Sequence, residues 1–142
     1  MTLWNNHLLM NAVIAWITAQ VLKVIIYALV NRRLDIRRLF GDGGMPSGHS
    51  ATVTALAVTA GLECGLDSAT FAVSAILAII VMHDAMGVRL EAGKHAKALN
   101  ELLELASSDL ESEIKLKEFV GHTPLQVAFG CLLGLVLALI LS

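Results

Sequence analysis

Two short groups of residues carry the chemical potential of this chain: Gly43-Gly44-Met45-Pro46-Ser47-Gly48-His49-Ser50, and His122-Thr123-Pro124. Each opens a long apolar run. Gly43, Gly44 and Gly48 let backbone amides come close to an anion. Pro46 and Ser47 suit the first turn of a helix, where free N–H groups and the dipole favour negative charge. His49 adds a group that moves protons near neutral pH. With His122 at a second helix start, the pattern predicts a two-histidine phosphoryl-transfer site. Such a site needs donors for the phosphate oxygens, a nucleophile, and an acid for the leaving oxygen. The amides around Ser47, Gly48 and His49 can be the donors. Lys23, Arg37 or Arg38, and Arg89 can supply positive charge. Neutral His122 could attack phosphorus, and protonated His49 could serve the leaving alcohol. Taken singly, each feature has a plainer reading. Ser47 would be a helix N-cap, His122 an interfacial histidine beside a Pro-initiated helix, Lys23 a snorkelling side chain, and Asp84 with Arg89 an interfacial ion pair. Their convergence on one face favours the chemical reading.

The elements that must position these residues are apolar and helical. The chain has 142 residues, 56% of them hydrophobic and 15% charged, with a mean hydropathy of +0.73. This is the balance of a single integral membrane domain spanning residues 1–142, not of a soluble one. Four apolar runs stand out: Leu8 to Val30, Ser47 to about Gly61, Asp67 or Ser68 to about Met86, and Thr123 to the end. The second, at roughly 16–18 residues, is at the short limit for a span. The second and third read as a helical hairpin turning at Gly61–Asp67. Between Leu90 and Val120, apolar residues at helical spacing alternate with acidic ones, which predicts one or two amphipathic helices broken near Ser107-Ser108. Cys64 and Cys131 read as small buried residues, with neither metal-ligand nor disulfide spacing. No cleavable signal peptide is expected, because the first run lacks a basic region before it. The histidines and carboxylates show no metal-ligand spacing, so no metal is expected.

Charge placement sets a topology. Of the ten Lys and Arg residues, four lie between the first and second runs, five between the third and fourth, and Lys23 lies inside the first. Four spans put both basic loops on one side, which the positive-inside rule makes cytoplasmic, with both termini outside. His49, His83, Asp84, Arg89, His122 and Lys23 then meet at the cytoplasmic face of the cell membrane.

The motifs resemble a known family. Gly44-Met45-Pro46-Ser47-Gly48-His49-Ser50, Asp84-Ala85-Met86-Gly87-Val88-Arg89 with Gly93-Lys94 and Asn100, and Gly121-His122-Thr123-Pro124-Leu125 are similar in order and spacing to the divergent branch of the type 2 phosphatidic acid phosphatase superfamily. The resemblance runs from about Asn11 to Leu141. It implies an all-helical membrane bundle of about four spans, and hydrolysis without a metal or other cofactor through a phosphohistidine. By motif, His122 corresponds to the nucleophile, His49 to the general acid and Lys23 to the lysine of the first motif. Lys94 stands with Asp84 and Gln126 among the supporting residues. The chain departs from the family pattern at three places. Val30 stands where the first motif has Arg-Pro, so Arg37 or Arg38 would substitute. Leu116 stands where an arginine precedes the nucleophile by six residues, a role Arg89 could take. Gln126 stands where a carboxylate orients the nucleophilic ring. An amide can hydrogen-bond that ring but cannot stabilise an imidazolium as a carboxylate does; Asp84 could supply that charge.

The expectation is a phosphatase acting on a membrane lipid phosphomonoester such as phosphatidylglycerophosphate or phosphatidate. The other readings are a lipid-phosphate binding or transport module without turnover, and a small subunit that docks a partner through residues 90–120. The expected partners are a lipid substrate and the bilayer, with no nucleic acid. So few helices leave room for a homodimer.

Overall fold

A computed structural model describes residues 3–36, 39, 44–106, 116 and 121–142. A 3-10 turn at Leu3–Asn5 leads into α1 (His7–Asn31), followed by α2 (Gly48–Cys64), α3 (Ala69–Met86), α4 (Val88–Ala106) and α5 (Pro124–Leu141). The helix starts follow from short polar side chains that cap otherwise unpaired N–H groups. Asn6 accepts from Leu9 N, Ser47 from Ser50 N, Ser68 from Phe71 N, and Thr123 from Gln126 N. Helix α2 starts at Gly48, so Pro46 lies outside its first turn, whereas Pro124 sits inside the first turn of α5. Helix α2 runs past Gly61 to Cys64, and Gly65 turns the chain at φ 93°. The α2–α3 hairpin is therefore tighter than the sequence suggests.

Helix α2 is the centre, with α1, α3 and α5 packed around it; α4 packs only on α3 among the described helices. Ala15 and Ala19 of α1, Ala51 and Ala55 of α2, and Ala138 of α5 form a fully buried seam. On α5, Gly130 and Gly134 lie against the backbone of α2: a Cβ on Gly134 would be 2.3 Å from Ala51 O. Small residues at four-residue spacing permit this closeness, and dispersion over the contact holds helices that lipid would otherwise separate. The large side chains point the other way. Trp16, Ile17, Val21 and Ile25 on α1, Val73, Ile76 and Ile80 on α3, and Leu132, Val136 and Leu139 on α5 are exposed. Small residues inside and large apolar ones outside is the arrangement of a bundle whose surroundings are hydrocarbon.

Among the described residues, three helical stretches are long and apolar enough to cross a bilayer: α1, the continuous stretch Ala69–Leu105 that contains α3, and α5. Helix α2, with 17 residues, extends about 26 Å, short of the roughly 30 Å hydrocarbon core. Its shortness is offset by position, since its neighbours cover it on several sides. Helix α4 begins directly after Gly87, earlier than residue 90, and carries the predicted amphipathic pattern. The break expected near Ser107-Ser108 lies outside the described residues. The cysteines depart from expectation: Cys64 is exposed and Cys131 half-buried, with its Sγ 3.0 Å from Met82 Sδ. At one end of the bundle, Asn11 Nδ2 donates to Thr59 Oγ1 and Ser142 Oγ, and His7 pairs with Glu63 at 3.0 Å.

Candidate functional site

The chemistry-bearing residues lie at the opposite end. Their placement is set by main-chain contacts between elements distant in sequence. Ser47 N donates to Gln126 O at 3.1 Å, joining the starts of α2 and α5. His122 N donates to Ala85 O at 2.9 Å, joining the same turn to the end of α3. Gly121, at φ 91°, lies directly on the α3–α4 corner; a Cβ there would be 2.3 Å from Leu90 N. No side chain fits at that point.

These contacts bring His49 and His122 together. Their ring centroids are 5.6 Å apart and the planes are nearly perpendicular, at 80°. His49 is partly exposed on the first turn of α2, while His122 is 1% exposed, one residue before the cap of α5. Two imidazoles at this separation can act on one phosphoryl group, one as nucleophile and one as acid.

Lys23 is 3% exposed, so its ammonium does not snorkel out of the bundle. Its stem runs beneath Gly44, whose φ is +106° and whose Cβ, were there one, would sit 3.1 Å from Lys23 Cγ. A glycine is required here both by conformation and by the closeness of the lysine stem. Lys23 lines a cavity of about 150 Å³ with Tyr27, Asn31, Gly44 and Met45. Gly48 differs from Gly44. A Cβ there would meet Trp16 and Gln20 at ordinary contact distances of 3.6 and 3.8 Å. Packing does not demand that glycine.

Several expected residues are engaged differently. Ser47 is fully buried; its N–H is given to Gln126 O, and its Oγ accepts from Ser50 N and, at 2.9 Å, from Ser50 Oγ. Ser47 is thus a cap and a bridge to α5, and its own N–H is not available to a ligand. Gln126 does not orient the His122 ring. Its Oε1 accepts from Thr123 N at 3.1 Å, completing a capping box with Thr123. Asp84 accepts from Arg89 Nε at 2.7 Å, both side chains being more than two-fifths exposed. The Arg89 backbone nonetheless touches Gly121, beside the nucleophile candidate. Lys94 pairs with Glu91 at 2.7 Å on the exposed side of α4. Arg37 and Arg38 lie outside the described residues.

Two further residues belong to the setting: Asn100, which the sequence offered only as a motif position, and Gln20, which sequence reasoning missed. Asn100 is buried and clasps residue 116 at two points, donating to Leu116 O at 2.9 Å and accepting from Leu116 N at 3.0 Å. Leu116 is the position where the family pattern has arginine. Gln20 is 9% exposed and lies one helical turn before Lys23, its Oε1 against Gly48 with no hydrogen-bond partner in the protein. A polar residue in the middle of an apolar span was the available signal.

Comparison with known proteins agrees with this picture. The sequence profile of the Divergent PAP2 family matches residues 4–137. The uncharacterized membrane protein YuiD of Bacillus subtilis (strain 168) is 45% identical over 154 residues, which cover 100% of this chain and 98% of that protein. No solved structure matches the chain. With the motif residues of three helix ends drawn to one end of the bundle, and the profile covering all of them, the chain belongs to the divergent PAP2 family of membrane proteins.

Proposed function

We propose that this protein is a lipid-phosphate phosphatase that hydrolyses a phosphomonoester of the phosphatidylglycerophosphate or phosphatidate type at the cytoplasmic face of the cell membrane. The observation that carries this reading is the pairing of His49 and His122 at 5.6 Å, at one end of an apolar bundle, with buried Lys23 packed under Gly44 just ahead of the helix that carries His49. A ring nitrogen of His122 attacks phosphorus, and the bond to the lipid oxygen breaks as His49 gives that oxygen its proton. Water then attacks the phosphohistidine. Neutral His49 takes the proton of that water, and phosphate leaves with His122 restored. The Gly48 and His49 amides and Lys23 hold the phosphoryl oxygens. His122 is covered in the state described, so turnover begins with its uncovering.

Phosphate release from lipid phosphates by purified protein, measured with EDTA present, tests this reading. The expected result is release that survives chelation and falls at least a hundredfold in His122→Ala and His49→Ala. Wild-type rates in either folded variant would refute the assigned roles.

A second reading, lipid-phosphate binding or transport without turnover, is favoured by one observation: Gln126 is spent on capping Thr123 and Asp84 on Arg89. Saturable binding of a phosphorylated lipid with no release of phosphate would select it.

A further inference from the structure

A groove of about 340 Å³ lies between α1 and α5 and is lined entirely by apolar residues, among them Leu22, Ile26, Met45, Phe129 and Leu132. It adjoins the Lys23 cavity, and Ile26 and Met45 line both. One wall therefore separates a compartment containing an ammonium, a phenol and a carboxamide from one containing hydrocarbon alone. The outer rim of the groove is open, since Phe129 is 46% and Leu132 53% exposed. The groove exists because α1 and α5 each pack on α2 more closely than on one another.

We propose that this groove seats one hydrocarbon chain of a phosphorylated lipid whose head group lies against Lys23 and the start of α2. The proposal rests on the lipid-phosphate reading above and adds where the chain runs. Charge and polarity select this occupant. A free phosphate fills the Lys23 side alone, a neutral lipid the groove alone, and only an anionic amphipath fills both. The open rim lets the chain enter sideways from the bilayer, so the lipid need not leave the hydrocarbon to reach the histidines. The bulk of a residue at the rim then sets how chain length affects binding, as a methylene does in any apolar pocket.

The test places the full-length protein in phosphatidylcholine vesicles with a trace of phosphatidate carrying a diazirine on its acyl chain. Photolabelling is mapped to peptides of α1 and α5. Labelling is expected to be competed by unlabelled dioleoyl phosphatidate and not by added dioleoyl phosphatidylcholine. Leu132→Trp, which fills the groove from an exposed position, is expected to cut it about tenfold. Where the protein turns substrate over, the same variant is expected to lower kcat/KM for dioleoyl phosphatidate by a similar factor, leaving dihexanoyl phosphatidate within about twofold. Labelling that resists competition, or that persists undiminished in Leu132→Trp, overturns the proposal. Competed, Trp-sensitive labelling without phosphate release keeps the groove and rejects the phosphatase, so the two readings fail separately.

Discussion

Gly121→Ala gives the sharpest test of how His122 is held. The glycine has φ +91°, and its Cβ would fall 2.3 Å from Leu90 N, 2.6 Å from Arg89 C and 2.6 Å from Leu90 Cα. All three neighbours are backbone, so no side chain can swing aside. An L-residue in the left-handed region costs roughly 1–2 kcal/mol, and forcing a methyl into a filled contact costs about 1–3 kcal/mol more. Together these give about 2–5 kcal/mol, a large part of the roughly 5–15 kcal/mol that stabilises a typical protein. The strain can be relieved only by moving the turn off the α3–α4 corner, which breaks the 2.9 Å bond from His122 N to Ala85 O and shifts the ring against His49. A shift of about 1 Å in a reacting group costs on the order of a hundredfold in rate. Denaturant unfolding in detergent, with phosphate release and long-chain phosphatidate binding measured beside it, reads both effects. The comparison variant is Gly87→Ala, where the added methyl meets His83 O at 3.1 Å with no positive φ; it is expected to lose much less. Unfolding of Gly121→Ala at the wild-type midpoint would falsify the account of the turn.

Two further substitutions separate packing from ligand contact. Gln20→Leu removes a buried carboxamide oxygen that has no partner in the protein. It is expected to leave the unfolding free energy unchanged or raised by about 1 kcal/mol, while weakening phosphatidate binding severalfold; a loss of stability with unaltered binding would make Gln20 a packing residue only. Gly134→Leu places a side chain where a Cβ is already 2.3 Å from Ala51 O. It is expected to part α5 from α2 at a cost of about 1–3 kcal/mol or more, visible in the same unfolding assay, and a midpoint equal to wild type would show that the two helices are not in such close contact.

The parts of the fold that were legible in the sequence are those governed by local chemistry. Ser68 and Thr123 mark helix starts because a hydroxyl before an apolar run caps free amides, whereas the end of α2 lies beyond Gly61, at Gly65 with its positive φ. The grouping of Lys23, His49, Arg89 and His122 at one end was legible too, because alternation of spans leaves little choice once the basic loops share a side. The roles of Ser47 and Gln126 were not. Ser47 reads as a phosphate donor until its N–H meets Gln126 O, a contact between residues far apart in sequence. Gln126 reads as a stand-in for a carboxylate until it is seen to close the pattern Thr123-Pro124-Leu125-Gln126, a capping signature that local sequence does contain. The closeness of α2 and α5 lay in Gly130 and Gly134, whose four-residue spacing carries that meaning only when a partner helix is known.

The departures from the family pattern concern charge more than position. Both histidines are held by main-chain bonds from one turn: His122 through Ala85 O, and the start of α2, which carries His49, through Ser47 N and Gln126 O. This fixes the main chain that carries the two rings. What main-chain placement cannot do is stabilise the positive charge an imidazole gains when it attacks phosphorus, and neither Gln126, closed into its capping box, nor Asp84, paired with Arg89, is placed to do so. On the proposed reading, such a site is expected to bind a phosphorylated head group and to transfer it slowly. The phosphatase and binding readings share one geometry and differ in rate, and a measured rate of phosphate release decides between them.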